Sequence, residues 1–279
     1  MSRIVVIGAI VMLWSHFSMA QDNFVTFQLN IFEDAKEKEY FQKYKSDPFY
    51  LLQALEPIES ESYKKWDKLL KKLDRRFRKN TGEVRLLSDI FYITHQLVLH
   101  QYQTHVNFST TLTDGIYDCV TGTGLYALLL ERYEIPYSII ETEEHVYLKG
   151  KFNGVPFIME STFPLKGLLL GESEILQFEK KFFTTALSQE GVRMPSVLGG
   201  INDDTKPSVI FNKIGIKELA GLQYYNDAVL KFNQKAYQAS YIQLVKAAYL
   251  YPSSRIADMK EKMEMLLGIV VLDVGVGQY

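Results

Sequence analysis

The sequence predicts an α+β fold in which helices pack on a small antiparallel sheet and a helical hairpin closes the C-terminal end. Three observations carry that expectation. Apolar residues recur at helical spacing through much of residues 60–133. The period then shortens to two in "PYSIIET", "HVYLKG" and "VPFIMEST", which are rich in β-branched and aromatic residues. "KFNG" joins the last two as a hairpin turn. Helical spacing returns over 217–266. The chain has 279 residues, 47% hydrophobic and 13% aromatic, enough for a sizeable core in one large domain or two small ones.

Residues 1–20, "MSRIVVIGAIVMLWSHFSMA", open on Arg3 and run apolar from Ile4 to Trp14. Ser18 and Ala20 supply the small residues of a cleavage site after Ala20. This is the pattern of a cleaved secretory signal, and it predicts a secreted or periplasmic protein. The apolar run is too short for a comfortable span, so no stable membrane segment is expected after cleavage. Residues 21–84 read as an N-terminal helical region, interrupted at Asp47-Pro48. Within it, 60–79 puts Trp66, Leu69, Leu70, Leu73 and Phe77 on one stripe and Lys and Arg on the other face. A solvated face explains those cations best, because the whole chain carries a formal charge of −2. That charge also offers nucleic acid no general attraction.

Residues 85–200 hold the core. A helix is expected over 82–103, with Leu86, Ile90, Ile93, Leu97 and Tyr102 near one stripe. A looser stretch turns at Asp114-Gly115. The next helix spans about 119–133 and stops before Pro136. After the strands comes an amphipathic piece near 173–187, then "MPSVLGGINDDTKPS", which reads as a surface connection continuing into a linker at 201–216. Residues 217–267 form the helical hairpin. Tyr237, Ser240, Ala247 and Pro252 fall where a tetratricopeptide repeat puts its aromatic, small and terminal proline residues, and the segment resembles one such repeat. A single hairpin cannot bury its own face, so it must pack on the rest of the protein or on a protein partner. Residues 268–279 are an apolar, Gly-punctuated tail.

The chemistry centres on "DC". Cys119 is the single cysteine. In an exported chain such a residue is a reactive thiol, an intermolecular bridge or a buried inert group. Asp118 is a good N-cap, which places Cys119 in the first helical turn. The N–H groups and positive helix end there stabilise a thiolate and can hold a developing oxyanion. The Asp118 charge opposes the thiolate, partly offset if backbone donors bind it. A nucleophile also needs a base. His16 leaves with the signal, and His95, His100 and His105 recur every five residues, a spacing that shares no helix face. His145 opens a strand, with Glu160 at the end of the next. A hairpin loop of even length brings both side chains to one sheet face. With Phe152-Asn153 as the loop, His145 faces Glu160 directly. With Asn153-Gly154, Glu160 faces Tyr147 and is diagonal to His145. An odd loop separates the two. No metal or cofactor motif is present, and "GTG" lacks the strand and glycine pattern of a nucleotide site.

"DCVTGTGLYALLLERYEIPYSI", "EEHVYLKG" and "FIMESTFP" together resemble the transglutaminase-like superfamily, over about 50 residues directly and 85–170 loosely. That resemblance implies a papain-like α+β core with Cys119 as nucleophile, His145 as general base and acid, and Glu160 as orienting acid. It implies cysteine-dependent acyl transfer, or amide or peptide hydrolysis, on a protein or peptide substrate. The family's acid is usually Asp, and Tyr147 stands where it usually has Trp. For the upstream oxyanion side chain, Gln101, Gln103, Asn107 and Tyr117 all qualify. The competing expectation is a non-catalytic binding or assembly module that keeps the fold and uses the helical hairpin for protein contact.

Overall fold

A computed structural model describes residues 31–59, 63–79, 84–143, 145–188 and 211–269. The expected signal, most of the Gly/Pro-rich connection and the tail beyond 269 lie outside the described residues. Those residues comprise ten helices, a five-stranded antiparallel sheet and a small parallel pair of strands. The chain is therefore a mixed α+β protein.

The N-terminal region holds α1 (Ala35–Gln42), a 3₁₀ turn and α2 (Pro48–Leu52). Asp47 caps α2 and Pro48 sits at its first position, where a missing N–H costs nothing. Helix α3 (Lys64–Lys79) buries Leu69 and Leu73 and leaves its cations outward. Helix α4 (Arg85–Leu97) is shorter than its apolar stripe predicts. The chain leaves the helix after Leu97, and the N–H groups of His100 and Gln101 both turn to the carbonyl of Gly115. Gln101–Tyr102 then forms β1, parallel to β2 (Ile116–Tyr117), with the short helix α5 (Phe108–Thr113) between them. Tyr102 thus belongs to a strand and not to the helical stripe.

Helix α6 (Cys119–Arg132) is the spine. Every residue from Val120 to Leu130 is buried. Strands β3 (Tyr137–Thr142), β4 (Val146–Phe152), β5 (Val155–Met159), β6 (Leu168–Leu170) and β7 (Phe211–Ile214) form the sheet in the order β6-β5-β4-β3-β7. Strand β7 comes from the stretch read as a linker and adds an edge beside β3. The period-two pattern sorts the faces as alternation requires. Ile139, Val146, Leu148, Phe157 and Met159 join the main core with α6. Ile140, Tyr147 and Ile158 face Ile175 and Phe178 of α7 (Glu172–Ser188).

Helices α8 (Ile216–Asn233), α9 (Tyr237–Leu250) and α10 (Ser254–Leu267) follow. Ser240 Oγ donates to the carbonyl of Ala228 at 2.8 Å, and buried Ala247 keeps α9 close. The inward face of this hairpin packs on its own chain. Gln223 stitches α8 to the core, accepting from the Phe108 N–H at 3.0 Å and donating to the Leu52 carbonyl at 3.2 Å. Lys246 Nζ pairs with Glu37 of α1 at 2.7 Å, and the Tyr224 hydroxyl donates to the same carboxylate at 3.0 Å. Both charged side chains are under a tenth exposed. No described helix is long and apolar enough to cross a membrane.

Removing one partner of such a buried pair strands the other charge. Lys246→Met is expected to lower stability by about 3–5 kcal/mol, and adding Glu37→Met should restore most of it. Urea denaturation of the two variants checks this; equal losses in both would contradict it.

Candidate active site

The N-terminal turn of α6 is built around Asp118. Its Oδ1 accepts from the Thr121 N–H at 2.8 Å, while Thr121 Oγ1 accepts from the Asp118 N–H at 3.0 Å. This is a reciprocal capping box. The Val106 N–H donates to Asp118 Oδ2 at 3.3 Å. Burial pushes the Asp118 carboxyl up from its ordinary range, and these donors work against that shift. The backbone donors expected to offset its charge are therefore in place. Cys119 follows as the first residue of the helix and is half-buried.

Its partners come from the β4–β5 hairpin. The pairing Phe152↔Val155 leaves Asn153-Gly154 as a two-residue loop, with φ of 49° and 83°. Two successive left-handed residues define the turn that fits a tight hairpin, and Asn-Gly is its favoured sequence. The loop is even, in the second of the two registers considered. Leu148 pairs with Met159, so Glu160 continues opposite Tyr147 and diagonal to His145. His145 stands one residue before β4 and Glu160 one residue after β5, where the pleat no longer dictates direction. Tyr147 turns under α7, its hydroxyl donating to Glu179 at 3.2 Å. Glu160 acts electrostatically on Tyr117 and Tyr126, and on Tyr147 as well.

His145 Nε2 and Glu160 Oε2 form a direct hydrogen bond. Glu160 is fully buried, and the His145 side chain is 15% exposed. The other oxygen of Glu160 accepts from the Thr162 N–H at 2.7 Å and its hydroxyl at 2.8 Å. The carboxylate is held from both ends. With Nε2 committed to Glu160, Nδ1 is the ring nitrogen left for Cys119, which also hydrogen-bonds this imidazole. Burial alone would push the His145 imidazole down. The Cys119 bond and the bond and charge of Glu160 outweigh burial and raise it to about 10. Cys119, His145 and Glu160 are therefore brought together in one chain of contacts. The arrangement can shuttle a proton between a thiol and an imidazole while a buried carboxylate fixes the ring.

A glycine lets α6 reach this place. A Cβ on Gly122 would come within 2.6 Å of both Cβ and Oγ of Ser161, the residue after Glu160. The "GTG" glycine is thus a close-approach residue between the helix start and the loop that carries the acid.

Of the four upstream candidates, Asn107 is committed as the cap of α5, accepting from the Thr110 N–H at 2.8 Å. Tyr117 is buried in the core. Gln101 and Gln103 are exposed on and just after β1. Tyr102, on β1, lies close enough to feel the charge of the thiol. Burial, then the neighbouring charges of Cys119, Asp118 and Glu160, push its phenol up to about 12. It is 48% exposed and lies edge-on to Tyr117 with ring centres 6.1 Å apart. The helix expected over 82–103 takes it in, although a step of five residues from Leu97 is about 500° and off the stripe. His95 has its Nδ1 3.4 Å from the Leu99 carbonyl and its ring packed on Phe91 and Tyr117, within reach of the charge of Glu160. Compared with protein-family models, curated proteins and solved structures, the chain matches none.

Two outcomes follow from this geometry. Gly122→Ala forces the helix start away from Ser161 and should cost about 1–3 kcal/mol in urea denaturation; an unchanged midpoint would show that the loop gives way freely. His145 binds its proton more tightly folded than unfolded. The stability it lends is fully present below about pH 6.5 and is lost as pH rises through about 10. The stability gap between the native protein and Glu160→Gln should therefore narrow across that window. A gap independent of pH would rule out this linkage.

Proposed function

We propose that the chain is an exported, transglutaminase-like protein with a papain-like core that carries out cysteine-dependent acyl transfer or amide hydrolysis on a protein or peptide substrate. The observation that carries this reading is the Cys119–His145–Glu160 chain of hydrogen bonds at the start of a buried helix. In the reaction, Cys119 Sγ, its proton already held by His145, attacks the carbonyl carbon of an amide. The carbonyl oxygen becomes an oxyanion, met by the N–H groups at the start of α6. The C–N bond breaks and His145 returns the proton to the leaving amine. His145 then takes a proton from water, or from an acceptor amine, as that nucleophile attacks the thioester. Cys119 leaves as thiolate while His145 keeps that proton, which restores the resting pair. Water yields hydrolysis and an amine yields transamidation. Glu160 keeps the ring oriented and stabilises its charged form throughout.

Alkylation of the native protein by iodoacetamide across pH tests this. Cys119 should react well below the ordinary thiol range near ~8.5. His145→Ala should slow the reaction at pH 6.5 on the order of 100-fold, since an ordinary thiol two units below its pKa is only ~1% thiolate. Labelling that rises only above pH 8.5 and ignores His145 would overturn the proposal in favour of a non-catalytic module. Mass spectrometry of acyl groups trapped on Cys119 would then name the substrate.

A further inference from the structure

We infer that Arg255, in the first turn of α10, is a positioning residue for His145, which makes the C-terminal helices a working part of the site. The inference rests on the reading of His145 as the base.

His145 follows a tight turn out of β3. The Thr142 N–H donates to the His145 carbonyl at 2.7 Å, and the Thr142 hydroxyl donates to the same oxygen at 3.1 Å. The other side of that turn is held by Arg255 alone among the described side chains bonded to it. Arg255 Nη2 donates to the carbonyls of Thr142 and Glu143 at 3.2 and 2.9 Å. The guanidinium thus grips Thr142 and Glu143, and Thr142 in turn bonds to the carbonyl of His145.

The grip is itself braced. Arg255 Nε lies 3.5 Å from Oε1 of Glu141, a β3 carboxylate only 1% exposed. The other oxygen of Glu141 accepts from the Tyr251 hydroxyl and from Asn212 Nδ2, the latter at 3.2 Å. Tyr251 ends α9, Asn212 lies on β7 and Arg255 begins α10. Elements from the far end of the chain therefore converge on one strand, one residue before the turn that presents the base. A lysine carries its three donors on one nitrogen, whereas the planar fork of arginine meets the carboxylate and the two carbonyls from two separate nitrogens. A clamp needed only for stability would gain more from apolar packing than from a buried carboxylate. This one is aimed at main-chain carbonyls instead. The groups that act on the His145 ring are Cys119 from α6 and Glu160 from the loop after β5. Arg255 acts through the main chain.

The test compares Arg255→Gln and Arg255→Lys with Lys246→Met, which loosens the same helices without touching the turn. Two readouts are followed in the full chain: iodoacetamide alkylation of Cys119 against pH, and NMR titration of the His145 imidazole. Arg255→Gln should cut alkylation at pH 6.5 about 10-fold and lower the His145 titration midpoint. Arg255→Lys should fall between it and the native protein. Lys246→Met should lose thermal stability yet keep both profiles. Profiles unchanged in both Arg255 variants, or shifted equally by Lys246→Met, would overturn the inference and leave a structural clamp. Native Cys119 with no low-pH reactivity would sink the proposed function separately; the His145 titration would still decide whether Arg255 positions the ring. Should Arg255→Gln not fold, Arg255→Lys carries the same decision.

Discussion

The two-residue turn at Asn153-Gly154 sets which residue of β4 opposes which residue of β5, and the site inherits that choice. Side chains alternate faces with a period of two, so one extra residue in the loop would turn the side chains of β5 over relative to those of β4. The turn admits no such slip, because both of its residues sit at positive φ and the ladder from Leu148↔Met159 to Phe152↔Val155 is continuous. The core confirms the register energetically. Leu148, Phe157 and Met159 are all fully buried on the α6 side, each worth roughly 1.5–3 kcal/mol of burial, and a one-residue slip would expose them.

Given that register, the rest of the site is a problem of bringing a helix end to a strand end without stranding a charge. Asp118 and Glu160 are both buried beside the thiol, an arrangement that would be costly if either lacked donors. Asp118 takes two backbone N–H groups, and Glu160 takes three donors counting His145. The imidazole supplies the positive counterpart between Cys119 and Glu160. Gly122 then permits a separation that any side chain would forbid. Local capping chemistry and close packing thus do complementary work: the first satisfies the helix end and the second delivers it to the hairpin.

Much of this was legible from the residues because it depends on short-range rules. Capping residues mark the start of α6, period-two segments mark the strands, and Asn-Gly marks the turn. What remained hidden depends on tertiary competition. Tyr102 stands five residues after Leu97, about 500° round a helix and off its stripe, and its segment leaves the helix where the Gly115 carbonyl takes the N–H groups of His100 and Gln101. The period marks that departure but not the partner strand. Strand β7 follows a stretch rich in Gly, Pro and Asp and is short, so its pairing is decided by the open edge of β3 and not by its own propensity. Arg255 lies at a helix start with nothing to mark it until Glu141, more than a hundred residues earlier, is placed beside it.

The register also bears on the identity of the acid. In the first of the two even registers the acid would sit directly across from the base, where Cβ atoms are about 4.5–5.5 Å apart and an aspartate suffices. In the register observed, the acid is the diagonal neighbour, about 7–8 Å away between backbones. The extra methylene of Glu160 supplies the missing reach while leaving one carboxylate oxygen behind for Thr162. The length of Glu160 thus suits the diagonal register that the Asn153-Gly154 turn sets.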